Sequence, residues 1–130
     1  MKIKGMNHIA INASDIKAST DFYGGVLGFT QKETVAFEGF SVVYFEVPGG
    51  SLLELFDYGG KNRGNASGET DAGLRHLAFA VDNVDEAEKY LRTRGIKITM
   101  TATDLPSLNS RAILFLDPNG VTLELCQRMK

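Results

Sequence analysis

Two octapeptides 70 residues apart share one pattern. Pro48-Gly49-Gly50-Ser51-Leu52-Leu53-Glu54-Leu55 recurs in Pro118-Asn119-Gly120-Val121-Thr122-Leu123-Glu124-Leu125, with Pro, Gly and Glu at the same spacing. Each reads as a tight turn feeding a β-strand, since Pro and Gly set the turn and a mostly apolar run follows. A second match lies upstream of each: His8-Ile9-Ala10-Ile11 recurs as His76-Leu77-Ala78-Phe79, 68 residues on. Nearly equal offsets over so much chain require two like units. With two copies of about 60 residues, the repeat is too long and too few for a solenoid.

The rest of each copy falls into the order βαβββ. In the first copy, Met6 to Ala13 alternates as a strand, and Ser14-Asp15 offers an N-cap. Ile16, Ser19, Phe22, Tyr23 and Val26 then recur at helical spacing, and Gly28 stops the helix. Phe29 to Ala36 and Phe40 to Val47 read as strands around a turn at Glu38-Gly39, and Leu52 to Asp57 is the fourth strand. In the second copy Leu74 restarts the pattern. Asp82 or Asn83 caps a helix with Val84, Ala87, Tyr90 and Leu91 on one face, Gly95 ends it, and Ile96 to Thr101, Arg111 to Asp117 and Val121 to Gln127 follow as strands. Asp57 to Gly73, with five glycines and no apolar periodicity, reads as the linker between copies, a functional lid being the other reading. Thr103 to Ser110 is a second irregular segment, placed where it could border a pocket.

Strand parity says where side chains point. His8 shares a face with Ala10, opposite Ile9 and Ile11; His76 shares one with Ala78, opposite Leu77 and Phe79. Leu53 and Leu55, like Leu123 and Leu125, face the helix, which turns Glu54 and Glu124 the other way. A carboxylate in an otherwise apolar strand is costly to desolvate without a partner. Two His and two Glu at matched places are most simply explained as a His₂Glu₂ metal site made of His8, Glu54, His76 and Glu124. Imidazole and carboxylate without thiolate suit a borderline or harder divalent ion, nickel or zinc first, with cobalt, manganese or iron open. Cys126 has the parity of Glu124, but a single thiol at a strand end more often fills a core. The predicted fold class is α+β: two βαβββ repeats, about 5–58 and 73–128, in one domain spanning 1–130. Their curved, mostly antiparallel sheets surround a concave metal site.

Other classes are disfavoured. A net charge of -2 offers no cationic surplus for nucleic acid, and no apolar run reaches the roughly 18 residues of a membrane span. The N-terminal Met1-Lys2-Ile3-Lys4-Gly5 lacks a signal-peptide core, and one cysteine allows no intrachain disulfide. The expectation is a cytoplasmic protein acting on a small molecule.

The same residues resemble the vicinal oxygen chelate superfamily, which holds glyoxalase I, extradiol dioxygenases, methylmalonyl-CoA epimerase and fosfomycin or bleomycin resistance proteins. The resemblance covers His8-Ile9-Ala10-Ile11, the helix end at Phe22-Tyr23 to Leu27-Gly28-Phe29, Leu52-Leu53-Glu54-Leu55, His76-Leu77-Ala78-Phe79 and Asp117-Pro118-Asn119-Gly120 through Glu124. It implies the ligand order His, Glu, His, Glu of bacterial glyoxalase I, lactoylglutathione lyase. By that resemblance Glu124, with Glu54, is catalytic and moves a proton between adjacent carbons of a hemithioacetal, while the metal holds the enediolate oxygens. It also implies homodimers whose metal sites are shared between chains. The alternatives it carries are an acyl-thioester epimerase, whose second ligand is usually Gln, and a non-catalytic small-molecule or antibiotic binder. Glyoxalase I grips glutathione carboxylates with arginines. Here Asp57-Tyr58 stands near the expected contact, and Arg63, Arg75 and Arg111 read more readily as surface charges. Asn12, Tyr44 and Asn109 are further pocket candidates.

Overall fold

The computed structural model describes residues 1–62 and 70–129, in two compact units, Met1–Gly64 and Asn65–Lys130. In the first unit the order is β1 (His8–Ala13), α1 (Ile16–Thr20), a π-helical turn (Asp21–Val26), β2 (Thr30–Phe37), β3 (Phe40–Val47) and β4 (Ser51–Asp57). The sheet order is β1-β4-β3-β2, with β1 parallel to β4 and the other pairs antiparallel. In the second unit β5 (Leu77–Ala80), α2 (Val84–Thr93), β6 (Ile98–Leu105), a 3₁₀ turn (Pro106–Leu108), β7 (Ser110–Leu116) and β8 (Thr122–Arg128) give the order β5-β8-β7-β6, again with one parallel pair. The expected α+β class and the two βαβββ repeats are therefore what the chain adopts. Among the described residues no helix is long and apolar enough to cross a membrane.

The local causes are readable. Asp15 Oδ1 accepts the Ala18 N–H at 3.1 Å and starts α1. The helix then widens: the Leu27 N–H donates to the Phe22 carbonyl five residues back, at 2.9 Å, and Gly28 turns out at φ +77°. The widened turn carries Phe22 and Tyr23, both buried along with Phe45, Leu53 and Leu55 of the sheet, and Tyr23 stacks on Phe29 at 6.2 Å. Gly24 lies so close to the sheet that a Cβ there would stand 3.2 Å from the ring of Phe45, which is wholly buried. Gly24→Ala is therefore expected to destabilise the protein by about 1–3 kcal/mol through overpacking; urea unfolding with an unchanged slope would show it, and a stabilised variant would mean the ring yields freely.

In the second unit Asn83 caps α2, its Oδ1 accepting the Glu86 N–H at 3.0 Å, and Gln127 Oε1 of β8 accepts the Val84 N–H at 2.6 Å. Val84 and Leu91 are buried, as are Ile113, Phe115, Leu123 and Leu125, which share the sheet face opposite Glu124. Tyr90, expected on that buried face, is 43% exposed because its ring and hydroxyl engage Arg94 in the last turn. Strand β6 runs on to Leu105, four residues beyond the expected Thr101. Its irregularity lies in two register shifts against β7, and the true loop is the short 3₁₀ turn. The central part of the expected linker, 63–69, lies outside the described residues.

Glu88 pins α2 to β6: Thr101 Oγ1 donates to its carboxylate at 2.8 Å and the Ala102 N–H at 2.6 Å. The Ala102 N–H, then the Thr101 hydroxyl, hold its carboxyl below the ordinary 4.5. A depressed folded-state pKa gives stability that is present above the unfolded value and lost as pH falls through the folded one. Glu88→Gln should thus flatten the loss of stability below about pH 4.5, a comparison of urea midpoints against pH being the check.

Candidate metal centre

Glu54 stands between Leu53 and Leu55, which are 3% and 0% exposed on the helix side of the sheet, so its own side chain faces the other way. Glu124 stands likewise between Leu123 and Leu125. Parallel pairing sets Ala10 opposite Glu54 and Ala78 opposite Glu124, the same register in both units. A methyl group beside each carboxylate leaves space above it.

Into that space reach the imidazoles. His8 Nε2 is 3.4 Å from Glu54 Oε2, and His76 Nε2 is 2.7 Å from Glu124 Oε2. The carboxylates are largely covered, at 13% and 17% exposure, while the rings are more open, at 42% and 27%. His8 Nδ1 lies 2.7 Å from Asn7 Oδ1, a contact the sequence analysis did not anticipate. When Nδ1 donates to that oxygen, Nε2 presents a lone pair to the carboxylate, the arrangement that second-shell partners enforce on metal-binding histidines. His76 precedes β5 by one residue rather than lying in it, yet reaches its partner at hydrogen-bond distance.

The structure thus brings the four expected residues together as two pairs, one in each unit. Among the described residues no group of three or more His, Cys, Asp and Glu side chains gathers at one point. The donor chemistry of each pair fits a divalent cation: one imidazole nitrogen and one partly desolvated carboxylate, both able to bind in their deprotonated forms.

Other candidates fall elsewhere. Arg111 is committed to structure. Its guanidinium meets Asp85 at 2.8 and 2.9 Å and Asp104 at 2.8 Å, tying α2 to β6 and β7, and these two carboxylates raise its pKa. The same guanidinium holds the Asp85 carboxyl below its usual range. Arg75 lies in the segment before β5, and Arg63 lies outside the described residues. Tyr44 pairs directly with Glu54 across β3 and β4, and Asn12 with Phe56, so both share the face of Glu54. Cys126 is half-buried and its Sγ lies 3.7 Å from the Phe79 carbonyl. Burial, and next the charge of Glu124, push its thiol up from the usual pKa. The segment expected to border a pocket does so at its end: Leu108, Asn109 and Ser110 line a cavity of about 420 Å³.

Comparison with known proteins agrees with this architecture. The uncharacterized protein YwkD of Bacillus subtilis is 36% identical over 130 residues, covering 98% of this chain and 100% of its own. YaeR of Escherichia coli, also uncharacterized, is 34% identical over 128 residues, covering 97% and 98%. The crystal structure of a glyoxalase family protein from Enterococcus faecalis superposes with a TM-score of 0.81 at 30% identity, covering 97% of this chain and 99% of the other. More distant are the methylmalonyl-CoA epimerase of Mus musculus (28%, covering 97% and 74%) and the metallothiol transferase FosB of Staphylococcus epidermidis (28%, covering 95% and 83%). The lactoylglutathione lyase of Schizosaccharomyces pombe is 26% identical, and the match spans 92% of this chain and 46% of that one. Residues 5–125 match the family model described as the Glyoxalase/Bleomycin resistance protein/Dioxygenase superfamily, and the chain belongs to that superfamily.

Proposed function

We propose that the chain is a divalent-metal-dependent lyase or isomerase of glyoxalase I type, acting in the cytoplasm. His8, Glu54, His76 and Glu124 are its metal ligands, with nickel or zinc as the metal. The substrate is a hemithioacetal or a related small molecule with two neighbouring oxygens. The observation that carries this reading is the pairing of His8 with Glu54 and of His76 with Glu124 at matched register positions of two units. Relatives named as a lyase, an epimerase and a metallothiol transferase support small-molecule chemistry.

A bound divalent cation would supply Lewis acidity to the neighbouring substrate oxygens. The residues of the chain do the remaining work. Glu124, assisted by Glu54, takes a proton from the carbon beside the substrate carbonyl on a carboxylate oxygen and returns it to the adjacent carbon, so the reaction is redox-neutral overall. Partial burial of both carboxylates keeps water from competing for that proton. Ala10 and Ala78 leave the carboxylates accessible from above. Each unit brings two donors, fewer than the three or four protein ligands of a typical site. We therefore read the protein as a homodimer in which the pair from one copy is completed by a pair from its partner.

The test is metal analysis of the purified chain after nickel or zinc loading, beside His76→Ala and Glu124→Ala, with turnover of the methylglyoxal–glutathione hemithioacetal. One metal per chain, lost in both variants, with turnover in the parent, is the expected result. Metal without turnover of this substrate, but with racemisation at the carbon next to an acyl thioester, would transfer the site to the epimerase reading. No metal under any loading condition would overturn the proposal.

A further inference from the structure

The two units differ on the sheet face that carries Glu54 in the first and Glu124 in the second. In the first unit the row beyond Glu54 runs Asn12, Phe56, Val42 and Val35 across the four strands, and Phe40 pairs with Phe37 in the next row. Aromatic rings fill this ground. Phe40 stacks on Phe37, Phe56 and Tyr58 with centroids 4.9, 5.7 and 5.2 Å apart. In the second unit the register-equivalent row is Ala80, Cys126, Ala112 and Thr103, and Ser110 pairs with Arg128. Phe56, Phe40 and Tyr58 are thus replaced by Cys126, Ser110 and Arg128. Where the rings would stand is the cavity of about 420 Å³ lined by Ala80, Leu108, Asn109, Ser110, Cys126 and Arg128.

The fold itself does not demand this hollow, because the other unit fills the same position from its own chain. We propose that the cavity seats the non-reacting part of the substrate, a planar apolar group of aromatic-ring size carrying a carboxylate that meets Arg128. The side chains that occupy the corresponding ground in the first unit show what size and shape fit. Cys126 lies two residues along β8 from Glu124, about 7 Å, so a ring seated there connects to a reacting carbon at the carboxylate through a short linker of about four bonds. The apolar part of the lining favours the ring, and Arg128, exposed and among the lining residues, selects the anionic end. This assignment rests on the proposed function for the identity of the reacting end, and on the cavity alone for the ring.

The test is titration of naphthalene-2-carboxylate, its uncharged amide and acetate into the full chain, without metal and then with nickel, followed by backbone amide NMR shifts. The carboxylate should move the amides of Ala80, Ser110, Cys126 and Arg128 in the absence of metal, and acetate should not. Cys126→Phe, which installs the residue of the first unit, should weaken the carboxylate by about tenfold or more. Ser110→Phe, the counterpart of Phe40, does the same service if Cys126→Phe does not fold. Arg128→Met should cost the carboxylate about tenfold and the amide nothing. Shifts confined to β1–β4, or affinity untouched by both Phe substitutions, would overturn the assignment. Binding in the cavity by a chain that takes up no metal would leave it standing and remove the lyase reading instead.

Discussion

Glu124→Gln is expected to lower kcat/KM by a factor of about a hundred to ten thousand, the range set by loss of a positioned proton carrier. The substitution keeps the side chain's shape between Leu123 and Leu125 and still offers an oxygen to His76 Nε2, 2.7 Å from the carboxylate in the native chain. What it removes is the ability to accept a proton and one negative charge from the proposed ligand set. Metal content measured on the same sample separates the two: a variant that retains metal but not turnover identifies Glu124 as the proton carrier, and one that loses both identifies it as a ligand first. Glu124→Asp, which restores the charge at a shorter reach, should recover part of the loss. Turnover within threefold of the parent at full metal loading would exclude Glu124 from the chemistry.

The largest effect on stability is expected at Asp117, just ahead of β8. Its carboxylate is 5% exposed and takes three donors: the Asn119 N–H and the Val121 N–H, each at 2.8 Å, and Asn119 Nδ2 at 3.1 Å. Asp117→Ala strands two backbone N–H groups where Asn119 is itself buried, and should cost about 2–4 kcal/mol. Asp117→Asn retains an acceptor oxygen and should cost less. Because this turn launches the strand that carries Glu124, the Ala variant should also bind metal more weakly. Urea unfolding measures the first effect; a change below about 0.5 kcal/mol would mean that the turn is held by its backbone alone.

Which parts of this molecule could be read in advance follows from what kind of signal each left. The strands that carry Glu54 and Glu124 announced themselves because a Pro-Gly turn, strict alternation and a misplaced Glu occur together, and a single register repeated at offsets of 68 and 70 residues carried the histidines with them. The π-helical turn left no such mark: Ile16, Ser19, Phe22, Tyr23 and Val26 fit an ordinary helix as well as a widened one, and the hydrogen bond from the Leu27 N–H to the Phe22 carbonyl is what separates them. The end of β6 reads as a loop because Thr103 and Asp104 are polar and the strand slips register, so no period of two survives there. The cavity was hardest, since small side chains create it and absence has no periodicity. Aligning the two copies residue by residue, Phe56 against Cys126 and Phe40 against Ser110, would have exposed it.

The turns ahead of β4 and β8 are built on different principles. Before β4 the chain relies on Gly49 and Gly50, both near φ +100°, with Val47 where the second unit has Asp117. Glycine gives up more conformational freedom on ordering than any other residue, and no buried carboxylate clamps it here. Before β8 the same bend is clamped from within by the side chain. The head of β4 should then exchange its amide hydrogens faster than the head of β8, because it opens more readily. The His76–Glu124 pair, 2.7 Å apart, thus sits behind the clamped turn, and the His8–Glu54 pair, 3.4 Å apart, behind the turn left to its glycines.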